Sequence, residues 1–239
     1  SIYNWLFNLT SSSSLVDLYL WGNLLTGPIP DAFGNITSLS RLHLSGNQLQ
    51  GVIPKSFGNL CNLKVLDLSR NNFSSMLPDF LHNLSRCNEV TLETLDLSGN
   101  QLTGSVPDFT RFSSLRDLFL GENRLTGFLR RGVMDLYGNQ ISGTLAGCSS
   151  LREIYLYQNQ LDGPLPDFTG CSSLIVLNLV DNQLNGPLPD FTGCSSLRQL
   201  QLDHNQLNGT LTESIGQLSK LEFLGASYNS LQGVISDVH

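Results

Sequence analysis

Residues 151–220, written in register, read LREIYLYQNQLDGPLPDFTGCSS, then LIVLNLVDNQLNGPLPDFTGCSS, then LRQLQLDHNQLNGTLTESIGQLSK. Three copies of one unit, 23, 23 and 24 residues long, follow one another without a linker. A fixed period of this size is the mark of a solenoid, in which each coil contacts only its neighbours and a continuous core is built by stacking. The rest of the chain is read against this ruler.

Residues 1–14 form a partial repeat, because WLFNLTSSSS ends as FGNITS does before the next Leu. Ten units fill 15–239, starting at Leu15, Leu39, Leu63, Leu92, Leu115, Arg131, Leu151, Leu174, Leu197 and Leu221. Within a unit, Leu at places one, four and six alternates as a strand of period two and points inward. An Asn at place nine, from Asn23 and Asn47 through to Asn205 and Asn229, follows the strand in every unit. It is expected to bind backbone groups where the chain turns, forming a structural ladder. Two units depart from the ruler. The third carries extra residues, HNLSRCNEVT, before Leu92, expected as a surface loop on the return side. The fifth, 115–130, has only 16 residues, fewer than the roughly 20 to 29 that such a coil uses. Either the solenoid is distorted there or part of a unit has been deleted. The last unit is cut off at His239, neither end has a cap, and the isolated chain is expected to be marginally stable or self-associating.

The composition excludes several classes of function. Charged residues are 14% of the chain, the net charge is −7 and the pI is near 4.9, the opposite of a basic nucleic-acid binder. A neutral or cationic partner fits better. No apolar run is long enough to span a membrane, and residues 1–9 lack the layout of a signal peptide. The four histidines are scattered, with only His43 and His204 on the sheet face and seven units apart. No zinc spacing, phosphate loop or dinucleotide fingerprint occurs, so neither an enzyme nor a cofactor is expected. Asp31, Asp79, Asp108, Asp167 and Asp190 recur after Pro at one place of the unit, so they are read as caps of a short helical turn, with the following Phe packed into the core.

The pattern LxxLxLxxNxLxGxIPxxF, carried by essentially the whole chain, resembles the plant-type leucine-rich repeat. That resemblance implies an α/β repeat solenoid: a right-handed superhelix with a parallel concave β-sheet and a convex side of short 3-10 turns and loops. The Gly-x-Ile/Leu/Val-Pro segments, as at Gly27 to Pro30 and Gly163 to Pro166, resemble those that give this subclass a second short strand. DAFGNITSL and LETLDLSGNQLTGSVPDF look like ectodomains of plant receptor-like proteins, the group that contains receptors for fungal xylanase. What this implies is a ligand-binding fragment that recognises a protein or peptide, pathogen-derived or endogenous, in immune or developmental signalling. It also implies a co-receptor engaged through regions outside this chain, and a cell-surface location with the full-length protein anchored in the plasma membrane. The alternative is a soluble inhibitor of microbial cell-wall hydrolases, resembling the polygalacturonase-inhibiting proteins. An ice-binding array is a third reading, and it would require flat rows of Thr or Ser.

Candidate sites follow from which places face outward. Places two, three, five, seven and eight lie on the exposed face of the sheet. The fifth to seventh units put Arg116, Phe119, Glu122, Asp135, Tyr137, Arg152, Tyr155 and Tyr157 there, four aromatics among charges of both signs. Tyr19 and Trp21 form a smaller second candidate. The competing explanation is cross-strand stacking that steadies the sheet. Sequons occur at Asn8, Asn35, Asn72, Asn83 and Asn208, candidate glycosylation sites of an extracellular protein. Cys61 and Cys87 are a candidate disulfide across adjacent coils, whereas Cys148, Cys171 and Cys194 in GCSS are expected as small buried core residues.

Overall fold

The computed structural model describes residues 14–84, 87–107, 109, 111–126, 135–143 and 151–233. The chain divides into two compact units, Ser1–Leu125 and Thr126–His239, and the division falls inside the short fifth repeat. Each is a stack of leucine-rich-repeat coils.

In the first unit, β1 (Asp17–Tyr19), β3 (Arg41–His43), β5 (Val65–Asp67), β7 (Thr94–Asp96) and β9 (Asp117–Phe119) pair in parallel as the main sheet. The register is set by place four: Leu18, Leu42, Leu66, Leu95 and Leu118 lie side by side. A shift of one residue would turn every leucine to solvent, so the hydrophobic pattern alone fixes the pairing. Beside it, β2 (Thr26–Gly27), β4 (Gln48–Gly51) and β6 (Asn72–Phe73) form a second sheet. β8 (Thr103–Ser105) pairs with β10 (Arg124–Thr126).

The second unit repeats the plan. Its main sheet is β12 (Glu153–Tyr155), β14 (Val176–Asn178), β16 (Gln199–Gln201) and β18 (Phe223–Gly225). Its second sheet is β11 (Ser142–Gly143), β13 (Gln160–Pro164), β15 (Gln183–Pro187), β17 (Gln206–Thr210) and β19 (Ser230–Gln232). The leucines of the inner coils are buried, as at Leu177, Leu179, Leu184 and Leu200, whereas Leu224 in the last strand of the main sheet is exposed.

The asparagine ladder is closed by hydrogen bonds that run between coils. Asn182 Nδ2 donates to the carbonyls of Leu156 (2.9 Å) and Leu179 (3.1 Å), and its Oδ1 accepts from the amide of Leu161 (3.0 Å). Asn100 does the same with Leu68, Leu97 and Phe73. One side chain thus satisfies three backbone groups where the chain leaves the strand, which is why the residue type does not vary.

Three expectations about the return side are corrected. The extra residues of the third unit are not simply a loop: Leu77–Leu84 form helix α1, and Asn88–Val90 a 3-10 turn. Leu77, Phe80, Leu81 and Leu84 form the buried face of the helix, and of the extra residues themselves Leu84 and Asn88 are buried. The post-proline aspartates do not cap helices. Asp31 is the first residue of the 3-10 turn Asp31–Asn35, whose cap position is held by Pro30, and its carboxylate accepts from the Ser56 hydroxyl at 3.3 Å. Asp79 lies inside α1. Asp167 and Asp190 instead close tight turns, accepting from the amides of Thr169 and Thr192 at 2.8 Å, while Asp108 lies outside the described residues. The phenylalanines that follow do pack inside, with Phe168 stacked on Phe191 at 5.1 Å between centroids.

The third correction concerns the cysteines. Cys61 and Cys87 are joined as a disulfide that pins the insertion to the preceding coil. Cys171 is buried but disulfide-bonded, so the uniform reading of GCSS as core filler fails there. Cys194 is the free buried thiol among the described residues, and burial pushes it up to about 11. Cys148 lies outside them.

Candidate ligand-binding face

On the main sheet of the first unit, place five forms one column in register: Tyr19, His43, Asp67, Asp96 and Phe119. The Tyr19 and His43 rings stack at 4.7 Å, and His43 Nδ1 lies 3.3 Å from Asp67 Oδ2. The hydroxyls of Ser45 and Ser69 both donate to the Asp67 carboxylate at 2.7 Å. These are residue types of a catalytic triad, but the serine protons are spent on the carboxylate, so the trio is a hydrogen-bonded rail. Burial pushes Asp67 up, and the bonds from Ser45, Ser69 and His43 more than offset it, holding the carboxyl below its ordinary range. Burial leaves Asp96 above that range despite two bonds from Ser98, with the neighbouring Asp67 charge adding to the effect.

The column ends on exposed aromatics. Tyr19 is 50% and Trp21 64% exposed at one end, and Phe119 is 39% exposed at the other, next to exposed Arg116 and Glu122. The remaining members of the expected central cluster belong to the second unit. There the Tyr137 and Tyr157 rings stack at 4.6 Å, and Asp135 bridges to Tyr155 as a parallel partner. Tyr155 Oη donates to Glu153 at 3.3 Å, and partial burial followed by the Glu153 charge raises the phenol above its ordinary value. Arg152 is exposed. The cluster is therefore two groups: Arg116, Phe119 and Glu122 on the first unit, and Asp135, Tyr137, Arg152, Tyr155 and Tyr157 on the second.

Cross-strand stacking is real at Tyr19 and at Tyr137 with Tyr157, yet a stack covers only one face of each ring. The half-buried tyrosines of the second unit keep a wet edge beside charged neighbours, the composition that interface anchors share. Of the sequons, Asn35, Asn72 and Asn208 are exposed, Asn83 is half-buried and donates to the Asp79 carbonyl at 2.7 Å, and Asn8 lies outside the described residues. Among the described residues no cluster of three or more His, Cys, Asp or Glu is placed to hold a metal, and no helix is long and apolar enough to cross a membrane. The void under the first coil, lined by Leu20, Leu25, Ile29 and Phe33, is about 20 Å³ and has no room for a ligand.

The backbone conformation of place eight is the feature that the sequence reading passed over. It is left-handed throughout: Gly22, Gly46, Gly99 and Gly138 have φ from 62° to 68°, and Arg70, Glu122, Gln158, Asp181, His204 and Tyr228 have φ from 51° to 57°. A side chain in that conformation costs about 1 kcal/mol or more. His204 and Tyr228 stack at 4.2 Å, and Tyr228 is 76% exposed. The available signal was the alternation of Gly and non-Gly down one column.

Comparison with known proteins agrees with this fold. Two models described as leucine-rich repeat match, one over residues 13–73 and 37–102 and the other over 196–218. No curated protein sequence matches significantly. Among solved structures, the chain is similar to a TDR receptor at 26% identity and TM-score 0.76, over 95% of this chain and 46% of that one. It is similar to the Arabidopsis receptor kinase HAESA, solved with the peptide hormone IDA and the co-receptor SERK1, at 29% identity and TM-score 0.69, over 93% of this chain and 43% of that one. A plant ice-binding protein matches at 26% identity and TM-score 0.73, over 94% of this chain and 76% of that one. The chain spans less than half the length of either receptor.

Proposed function

We propose that this chain is a ligand-binding part of an extracellular plant receptor-like protein, and that the exposed face of its main sheets recognises a peptide or protein without chemistry. The observation that carries this reading is the set of aromatics held out on that face among charges of both signs: Tyr19, Trp21 and Phe119 on one unit, Tyr137, Tyr155 and Tyr157 on the other. Similarity to a receptor solved with a peptide hormone and a co-receptor supports it. Glycans at the exposed sequon asparagines, a plasma-membrane anchor outside this stretch, and a co-receptor contact belong to the same proposal. So do a role in immunity or development and a place in the group of fungal-xylanase receptors.

The test is capture from a mixture of secreted fungal wall-degrading enzymes and plant peptides, with mass spectrometry of what is retained. Retention of a peptide, or of a hydrolase whose activity is unchanged, is the expected result. Retention with loss of hydrolase activity would favour the soluble inhibitor, and retention of nothing would overturn the binding reading.

One feature favours a second reading. The second sheet of the second unit repeats an exposed Gln at the start of three strands, Gln160, Gln183 and Gln206, and the ice-binding protein is matched over the larger share of its length. The main-sheet column of Tyr, His, Asp, Asp and Phe is too uneven for that role. Thermal hysteresis at the freezing point would establish the ice-binding reading, and its absence is expected.

A further inference from the structure

In the second unit place eight is Gly138 and then, in four successive coils, Gln158, Asp181, His204 and Tyr228, all left-handed. A glycine there, as in four other units, would avoid the strain, so the side chains are held out against the backbone preference. Their exposure is not an effect of position at an edge: Asp181 and His204 lie in interior coils, with side chains 47% and 50% exposed. Asp181 Oδ1 is 3.9 Å from His204 Nδ1, and the other side of the imidazole stacks on Tyr228. Next to them at place seven, Asp203 is held by the Ser227 amide at 2.8 Å, and its carboxylate lies over the bare backbone of Gly225. A Cβ on Gly225 would meet the Asp203 carboxylate, the far end of a side chain that would then have to shift.

This strip of two carboxylates and stacked rings has no Lys or Arg at places seven or eight in any coil of the unit. Arg198 on the same sheet is taken by Glu222 at 2.5 Å. Carboxylates beside ring faces are the complement of a planar guanidinium, which stacks on aromatic rings while donating in a fork to an acid. From β12 to β18 the strip crosses three strand spacings, about 14 Å, the length of about four extended residues.

We propose that the strip along Asp181, Asp203, His204 and Tyr228 is a binding site for an extended arginine-bearing peptide, its guanidinium stacked against His204 and Tyr228 and paired with Asp181. The proposal rests on the peptide-binding reading above and names the ligand chemistry on one edge of that face.

Titration calorimetry of the full chain tests it with two probes, the blocked tetrapeptide Arg-Pro-Arg-Pro and its Glu-Pro-Glu-Pro counterpart. The arginine peptide is expected to bind at least about tenfold more tightly. Asp181→Gly and His204→Gly are each expected to weaken it by about fivefold or more while leaving the melting temperature unchanged or raised, because glycine relieves the left-handed strain. A ladder kept only for packing would do the reverse, losing melting temperature with affinity unaffected, and that result would overturn the site. Equal binding of the two probes, or no binding of either up to about 1 mM, would also overturn it. Capture of a neutral or acidic peptide that depends on Tyr137 would remove this site while leaving the broader reading intact.

Discussion

At the scale of single residues, two columns show how a side chain's place in the coil decides its cost. Asn182 is buried with three backbone groups depending on it, so Asn182→Ala leaves carbonyls and an amide without partners. Each orphan costs about 1–3 kcal/mol where water is excluded. A loss of about 3 kcal/mol or more is therefore expected in urea unfolding. Place eight behaves in the opposite way. Arg70→Gly or Glu122→Gly removes left-handed strain, offset by the entropy of glycine in the unfolded chain, and should stabilise by about 0.5–1 kcal/mol. The asparagine column was legible from the sequence because its residue type never changes. Place eight was not, because a mixture of Gly, Arg, Glu, Gln, Asp, His and Tyr conceals one shared φ.

At the scale of elements, the strands follow from the leucine spacing and the second strand from the Gly-x-x-Pro segment, whereas the return side depends on chemistry between coils. Helix α1 buries Leu77, Phe80, Leu81 and Leu84 as one face, and the extra residues supply only its end, His82 to Leu84, so the helical period straddles the point where the insertion begins. Asp167 and Asp190 form turns instead of helix caps because the threonine two residues on offers its amide at 2.8 Å. The GCSS cysteines are identical in sequence, yet Cys171 is disulfide-bonded and Cys194 is free, a difference that local pattern does not encode. The Cys61–Cys87 bridge closes 26 residues around the insertion, and replacing both by Ser should cost about 3 kcal/mol, measured as a shift in the denaturant midpoint. The rail on the main sheet adds an acid dependence. Asp67 has its carboxyl lowered on folding, so its contribution is full above the ordinary aspartate value of about 3.9 and is lost as pH falls through the lower folded value. Asp67→Asn should flatten that acid limb of the stability profile. Asp96, raised by burial, contributes with the opposite sign: Asp96→Asn should raise the melting temperature at neutral pH and lose that advantage in acid.

At the scale of the whole molecule, leucine spacing defines the solenoid, and the chain divides into two compact units within the short fifth repeat. The outward-facing aromatics were also readable by counting places. Their partition was not, because a continuous count treats Phe119 and Tyr137 as neighbours although they belong to different units. Nor were the Tyr19–His43 and Tyr137–Tyr157 stacks, which depend on ring orientation. The central claim is that aromatics on the sheet face bind a partner rather than merely pack. The direct test is a calorimetric titration of the captured ligand against Tyr137→Ala, Tyr155→Ala and Asp67→Ala. An interface anchor contributes about 2 kcal/mol or more, so the two tyrosine variants should lose about thirtyfold in affinity while Asp67→Ala binds as the parent does. Equal effects from all three, or no effect of the tyrosine changes, would contradict the account.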